Sequence, residues 1–156
     1  MASPFPLPAP MRRALDLARD AAEAGEVPIG AVVTLGGRIV GEGQNRNRRD
    51  NDPTAHAEIV AIRAAAKAAD DFRLVGHILW VTLEPCAMCA GAIAHARIEA
   101  VHYAAPDPKG GGVEHGARVF SHPQCHHRPD VYPGMGEGEA SALLRDFFAG
   151  RRSSMP

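Results

Sequence analysis

What is scarce in this sequence excludes more than what is common. Charge imbalance is nearly absent: 17 Lys and Arg against 18 Asp and Glu give a formal net charge of −1, and the pI is near 6.7. The chain as a whole therefore has no field that draws it to nucleic acid or to an anionic membrane, and any polyanion must be held by a local patch. Long apolar runs are missing too. No segment approaches the ~18 apolar residues of a membrane span, and the opening MASPFPLPAP has no basic region followed by an apolar stretch. The expectation is a cytoplasmic protein without a membrane partner. Cysteine is rare: there are three, an odd number that cannot form a fully paired disulfide framework. Two of them form Cys86-Ala-Met-Cys89, which in a cytosolic protein favours metal or redox chemistry over disulfides.

What is present suits one globular domain. The chain has 156 residues with 46% hydrophobic content, enough for a core and too short for a second domain of ordinary size. Residues 1–10, rich in proline, read as a disordered tail, and residues 11–152 as a single domain. Met11 to Ala24 carries apolar residues at helical spacing. VPIGAVVTL (27–35) and RIVGEG (38–43) read as strands of a hairpin turning at Gly36-Gly37. A polar loop, QNRNRRDND, leads to a helix from His56 through Ala69. HILWVTL (77–83) is a strand that Glu84-Pro85 breaks, CAMCAGAIAHARI a helix, EAVHYA (99–104) a strand, and Glu139 to Ala149 an amphipathic helix. Residues 106–138, rich in Gly, Pro and His, show no clear pattern. This alternation predicts an α/β sheet covered by helices on both faces, with at least the later strands parallel.

The stretch PTAHAEIV (53–60) places two titratable groups, His56 and Glu58, at the start of an alanine-rich helix. Residues i and i+2 on a mature helix face nearly opposite ways. In the first turn, with Thr54 as the expected N-cap, both can lean over the positive helix end. Cys86 opens the next helix, again just after a strand, where open α/β sheets place their sites. One histidine and two cysteines make three ligands, and three is the number at catalytic zinc sites, which keep a position for water. His56, Cys86 and Cys89 thus read as ligands of one zinc ion, with Glu58 as a proton shuttle beside it. Two other readings compete. Cys-x-x-Cys alone could be a redox pair, and Cys86, Cys89 and Cys125 with His122, His126 or His127 could form a closed structural site that leaves Glu58 idle.

His-x-Glu followed by Pro-Cys-x-x-Cys is the general signature of zinc nucleobase deaminases. TAHAEI, TLEPCAMCAGAI, EVPIGAVV, GEGQNR and LLRDFF together resemble the bacterial tRNA-specific adenosine deaminases, over about Met11 to Arg152. That resemblance implies a three-layer α/β/α cytidine-deaminase-like fold on a mixed five-stranded sheet. It implies hydrolytic deamination of the wobble adenosine of a tRNA anticodon to inosine through a zinc-activated water. It also implies a homodimer. Asn45 then contacts the flipped nucleoside, Val27, Pro28, Ala57 and Pro85 line the base pocket, and Asp107 and Lys109 reach the RNA beside it. Arg46, Arg48, Arg49, Lys109, Arg151 and Arg152 are candidates for contacts to the phosphates of the anticodon stem-loop. The chain departs from the family's pattern at Pro106 and Pro108, which flank Asp107, and at Cys125-His126-His127. Two alternatives of other classes are a free nucleobase or nucleoside deaminase acting on guanine or cytosine, and a non-catalytic structural-zinc protein that binds RNA.

Overall fold

A computed structural model describes residues 5–154, and the side chains among them through residue 151. The predicted phosphate contact Arg152 therefore lies outside the described side chains. Helix α1 spans Ala9–Glu23, β1 Gly30–Leu35, β2 Arg38–Gln44, α2 Ala57–Ala69, β3 Ile78–Leu83, α3 Ala87–Ala96, β4 Ala100–Ala105, β5 Asp130–Pro133 and α4 Glu137–Ser154, with a short 3-10 turn at Val119–Ser121. The sheet order is β2-β1-β3-β4-β5. β1 runs antiparallel to both β2 and β3, while β3, β4 and β5 are mutually parallel. The result is the expected mixed five-stranded sheet between two helical layers.

Helix α1 starts two residues before Met11, because Pro10 sits in the first turn, where a missing N–H costs nothing and its φ is already helical. Its buried residues Met11, Ala14, Leu15, Leu17, Ala18 and Ala21 keep helical spacing and pack on one face of the sheet. Met11, Ala14 and Leu15 form the smaller core with Ala104 and Ala105 at the end of the sheet's fourth strand and Ala140 of α4. The larger core lies on the other face, under α2 and α3, around Val33, Leu79, Val81, Ile93, Ile98, Val101 and Tyr103. Helix α2 lies very close to β2. A Cβ on Gly41 or Gly43 would collide with the α2 backbone at Ala61 and Ala65 or at Ala57 and Ala61, so these two strand positions are glycine for want of space.

Strand β5, hidden in the unpatterned 106–138 stretch, completes the sheet. It has four residues on an exposed edge and ends in a proline, so it carries no alternation of apolar and polar residues. Only its pairing with β4, from Ala100↔Asp130 to Tyr103↔Pro133, makes it a strand. Across β3, β4 and β5 the rings of Trp80, His102 and Tyr132 stack at 4.0 and 4.8 Å. No helix of the described residues is long and apolar enough to cross a membrane.

Candidate active site

Two helix N-termini meet at the site. His56, not Thr54, is the N-cap of α2: its backbone is extended, with φ −73° and ψ 155°, and helical geometry begins at Ala57. Thr54 is held elsewhere, its amide and hydroxyl both bonded to Asp52 Oδ1 at 2.8 Å. The cap comes instead from a loop elsewhere in the chain. Asn45, just past β2, accepts the Ala57 amide on its Oδ1 at 2.9 Å, which satisfies one of the donors that a helix start leaves unpaired. The extended backbone at His56 lets its ring project off the helix end, while Glu58 in the first turn points inward and is 4% exposed. Cys86 is likewise the extended N-cap of α3, and Cys89 lies one turn in, fully buried.

These residues converge. The potential ligand atoms of His56, Cys86 and Cys89 lie within 4.8 Å of one another, and they are the one group among the described residues placed to hold a metal ion. His56 Nδ1 is 3.6 Å from Cys86 Sγ and 3.5 Å from Cys89 Sγ. The groups also hold one another's protons. The thiol of Cys89, with the His56 ring, holds Cys86 down at about 4. Cys89 is pushed up by its hydrogen bond to Cys86 and by burial, and His56 is raised by the neighbouring Cys86 sulfur. Burial pushes the Glu58 carboxyl up to about 7.

The alternative structural site does not assemble. Cys125 donates to the His127 carbonyl at 3.1 Å, His122 Nε2 faces the Ala117 carbonyl at 2.7 Å, and His127 Nε2 faces that of Ile98 at 2.6 Å. Cys125, His122 and His126 line a separate cavity of about 290 Å³ against Ala94 and His95 of α3.

Of the expected base-pocket residues, Pro28, Ala57 and Pro85 are buried and Val27 is half-buried. Val27 lines a cavity of about 500 Å³ with Leu83, Pro106, Asp107, Lys109, Gly110, Leu144 and Phe148. The arginines differ from one another in ways their clustering in sequence conceals. Arg46 pairs with exposed Asp50 at 3.0 Å. Arg48 is exposed and gives only its amide to Glu26, whereas Arg49 is held at both ends, by Glu26 and by the Asn45 carbonyl at 3.0 Å. Arg151 lies over the Phe147 ring and donates to the Gly25 carbonyl at 2.7 Å.

Two residues that pattern reading passes over hold loops in place from beneath. Glu26 and Glu84 are each 2% exposed. Burial works against their ionisation more than any other single influence, yet the donors gathered around each carboxylate outweigh it and lower both pKa values. At Glu26 these are the Arg49 and Arg48 amides and the Arg49 side chain; at Glu84 they are chiefly the Asp107 amide, the His115 ring and the Glu114 and His115 amides. The sequence signal is a glutamate at the border of an apolar strand run, which also fits an exposed strand end.

The model of the MafB19-like deaminases matches residues 8–152. The tRNA-specific adenosine deaminase of Agrobacterium fabrum is 56% identical over 142 residues, 91% of this chain and 93% of that protein. A solved structure described as part of biochemical and structural studies of A-to-I editing by tRNA:A34 deaminases superposes with a TM-score of 0.85 at 56% identity, covering 86% of this chain and 98% of its own. The guanine deaminase from Nitrosomonas europaea shares the fold more distantly, with a TM-score of 0.74 at 27% identity over 96% of this chain and 86% of its own. The cluster of His56, Glu58, Cys86 and Cys89 lies inside the matched span, and the chain belongs to the MafB19-like deaminase family, that of the tRNA-specific adenosine deaminases.

Proposed function

We propose that residues 11–152 act as a tRNA-specific adenosine deaminase that turns the wobble adenosine of an anticodon loop into inosine, with one zinc ion held by His56, Cys86 and Cys89. The spacing of the donor atoms carries this reading. A tetrahedral ion with Zn–S of about 2.3 Å and Zn–N of about 2.0–2.1 Å sets nitrogen and sulfur about 3.5 Å apart, and Nδ1 of His56 lies 3.5 and 3.6 Å from the two sulfurs. Zinc bound there would supply Lewis acidity toward a water molecule.

The remaining steps belong to the chain. Glu58 is adjacent to the ligands and, with a carboxyl near 7, both accepts and releases a proton at neutral pH. It takes a proton from the attacking water and returns protons to the ring nitrogen and to the amino group at C6. Water adds, ammonia leaves and a carbonyl remains. Asn45 has its Oδ1 committed to the Ala57 amide, which aims its Nδ2 as the donor to the nucleoside, and Val27, Pro28, Ala57 and Pro85 enclose the base. The reacting base must leave its stack, which costs least in a single-stranded loop such as an anticodon. Arg48 and Lys109, both exposed, and Arg46, whose one side-chain partner Asp50 is itself exposed, are the proposed phosphate contacts, since Arg49 is tied to the buried Glu26 and Arg151 to the Gly25 carbonyl. The same reading makes the protein a cytoplasmic homodimer joined through the outer face of α3, where Met88 is 39% exposed. Sedimentation at the bare 16.5 kDa of one chain would contradict the dimer.

The test is to incubate the zinc-loaded protein with an anticodon stem-loop carrying a wobble adenosine and, separately, with free adenosine, guanine and cytosine. Inosine from the stem-loop alone is the expected result. Turnover of a free base instead would reassign the substrate, and turnover of nothing would leave a non-catalytic metal protein.

A further inference from the structure

One buried carboxylate beside the site takes no part in the chemistry above. Glu84 follows β3 and precedes Pro85 and Cys86. Its Oε1 accepts the Asp107 amide at 3.0 Å and faces His115 Nδ1 at 2.7 Å, and its Oε2 accepts the amides of Val113, Glu114 and His115 at 3.2, 2.9 and 3.1 Å. All of these donors come from a single loop, residues 107–115. The enclosure is tight: a Cβ at Gly111 would come within 2.5 Å of both the Glu84 carboxylate and the Asp107 carbonyl oxygen. The Gly112 amide adds a bond to the Pro85 carbonyl at 2.8 Å, so the loop is tied to the turn that presents Cys86.

That loop also lines the 500 Å³ cavity, through Asp107, Lys109 and Gly110, together with Val27, Leu144 and Phe148. Asp107 turns its Oδ1 back to the amides of Lys109 and Gly110, at 3.2 and 2.9 Å. The shape of this lining is therefore set by the backbone at Asp107, which Glu84 holds. Only a carboxylate meets the demand, because both of its oxygens accept and neither carries a hydrogen; an amide would turn an N–H₂ toward N–H donors.

We propose that Glu84 is a positioning residue for substrate: it fixes the Asp107–Lys109 segment in the conformation that receives the nucleotides flanking the reacting base. The inference rests on the wobble-adenosine reading above. The experiment is steady-state deamination of the anticodon stem-loop by the zinc-loaded full chain, comparing parent, Glu84→Gln and Gly111→Ala. Gly111→Ala pushes the loop off the carboxylate from the opposite side and covers the case in which Glu84→Gln does not fold. The expected result for each folded variant is a KM raised roughly tenfold or more, kcat within about threefold of the parent, and unchanged metal content. Hydrogen exchange should quicken at the amides of 107–115 and not in α2. An active parent whose folded variants keep its KM, or lose kcat together with the metal, overturns this inference alone. A parent that makes no inosine from the stem-loop overturns the functional reading and takes this inference with it.

Discussion

At the scale of single residues, three glutamates buried around one site do different work because of what surrounds them. Glu26 and Glu84 are surrounded by donors and stay ionised, whereas burial dominates at Glu58 and raises its carboxyl to about 7. A pKa near the working pH is what a proton shuttle needs, and one far below it is what a loop anchor needs. Glu58→Ala should therefore lower deamination by ~10²–10⁴-fold or more while the protein keeps its metal. Cys86→Ser and Cys89→Ser should lose the metal, and Cys125→Ser, whose sulfur bonds the His127 carbonyl, should keep it. Elemental analysis beside an activity assay separates the cases. An active Glu58→Ala protein would rule out the shuttle, and metal loss in Cys125→Ser would revive the structural site.

At the scale of elements, the loop from Asn45 to Asp52 joins β2 to α2 and carries arginines with opposite duties. Arg49 bonds the buried Glu26 and the Asn45 carbonyl, while Arg46 pairs with the exposed Asp50 and Arg48 is exposed. Replacing Arg46 and Arg48 together by Gln should raise the KM for the stem-loop and flatten its salt dependence, by up to ~0.7 in log–log slope for each single-strand phosphate that the variant no longer neutralises. Stability should be unchanged. Arg49→Gln should do the reverse, costing about 1–3 kcal/mol of stability by removing a partner of a buried carboxylate, with little change in the salt slope. Denaturant titration and salt-dependent kinetics read the two effects apart, and equal salt slopes for parent and double variant would place the RNA footprint elsewhere.

At the scale of the molecule, the two helical layers are locked to the sheet by burial on both faces and by ion pairs at one end. Glu139 of α4 bonds Arg12 and Arg19 of α1, and Glu42 of β2 bonds Arg13. Arginine hydrogen bonds hold both carboxyls below their ordinary value of 4.5. The sign follows from the direction of the shift. A depressed folded pKa contributes stability that is fully present above the unfolded value and is lost as pH falls through the lower folded one. Thermal stability should therefore fall as pH drops below the ordinary glutamate value of 4.5 and Glu26, Glu42, Glu84 and Glu139 take up protons. Glu139→Gln should be less stable than the parent at neutral pH and nearly equal to it at the acid end. A gap between the two melting temperatures that stays constant with pH would show that Glu139 contributes by shape and not by charge.

The hairpin, strands β3 and β4, the four helices and the grouping of His56, Glu58, Cys86 and Cys89 were all legible in the chain, because each is written in local spacing: apolar periods of two or about 3.6, glycine pairs, and paired strand-to-helix borders. Tertiary structure alone decided the rest. Edge strand β5 exists only because β4 offers an open row of backbone partners. The cap of α2 comes from Asn45, 12 residues upstream, a link that no local capping pattern records. Arg46, Arg48 and Arg49 are alike as letters and diverge because the side chain of Arg49 bonds the buried Glu26 while that of Arg46 bonds the exposed Asp50. Glu84 reads as a strand end until residues 107–115 fold over it. Local sequence sets what each segment prefers on its own; which buried polar groups find partners depends on segments far away in the chain, and only the folded chain brings them together.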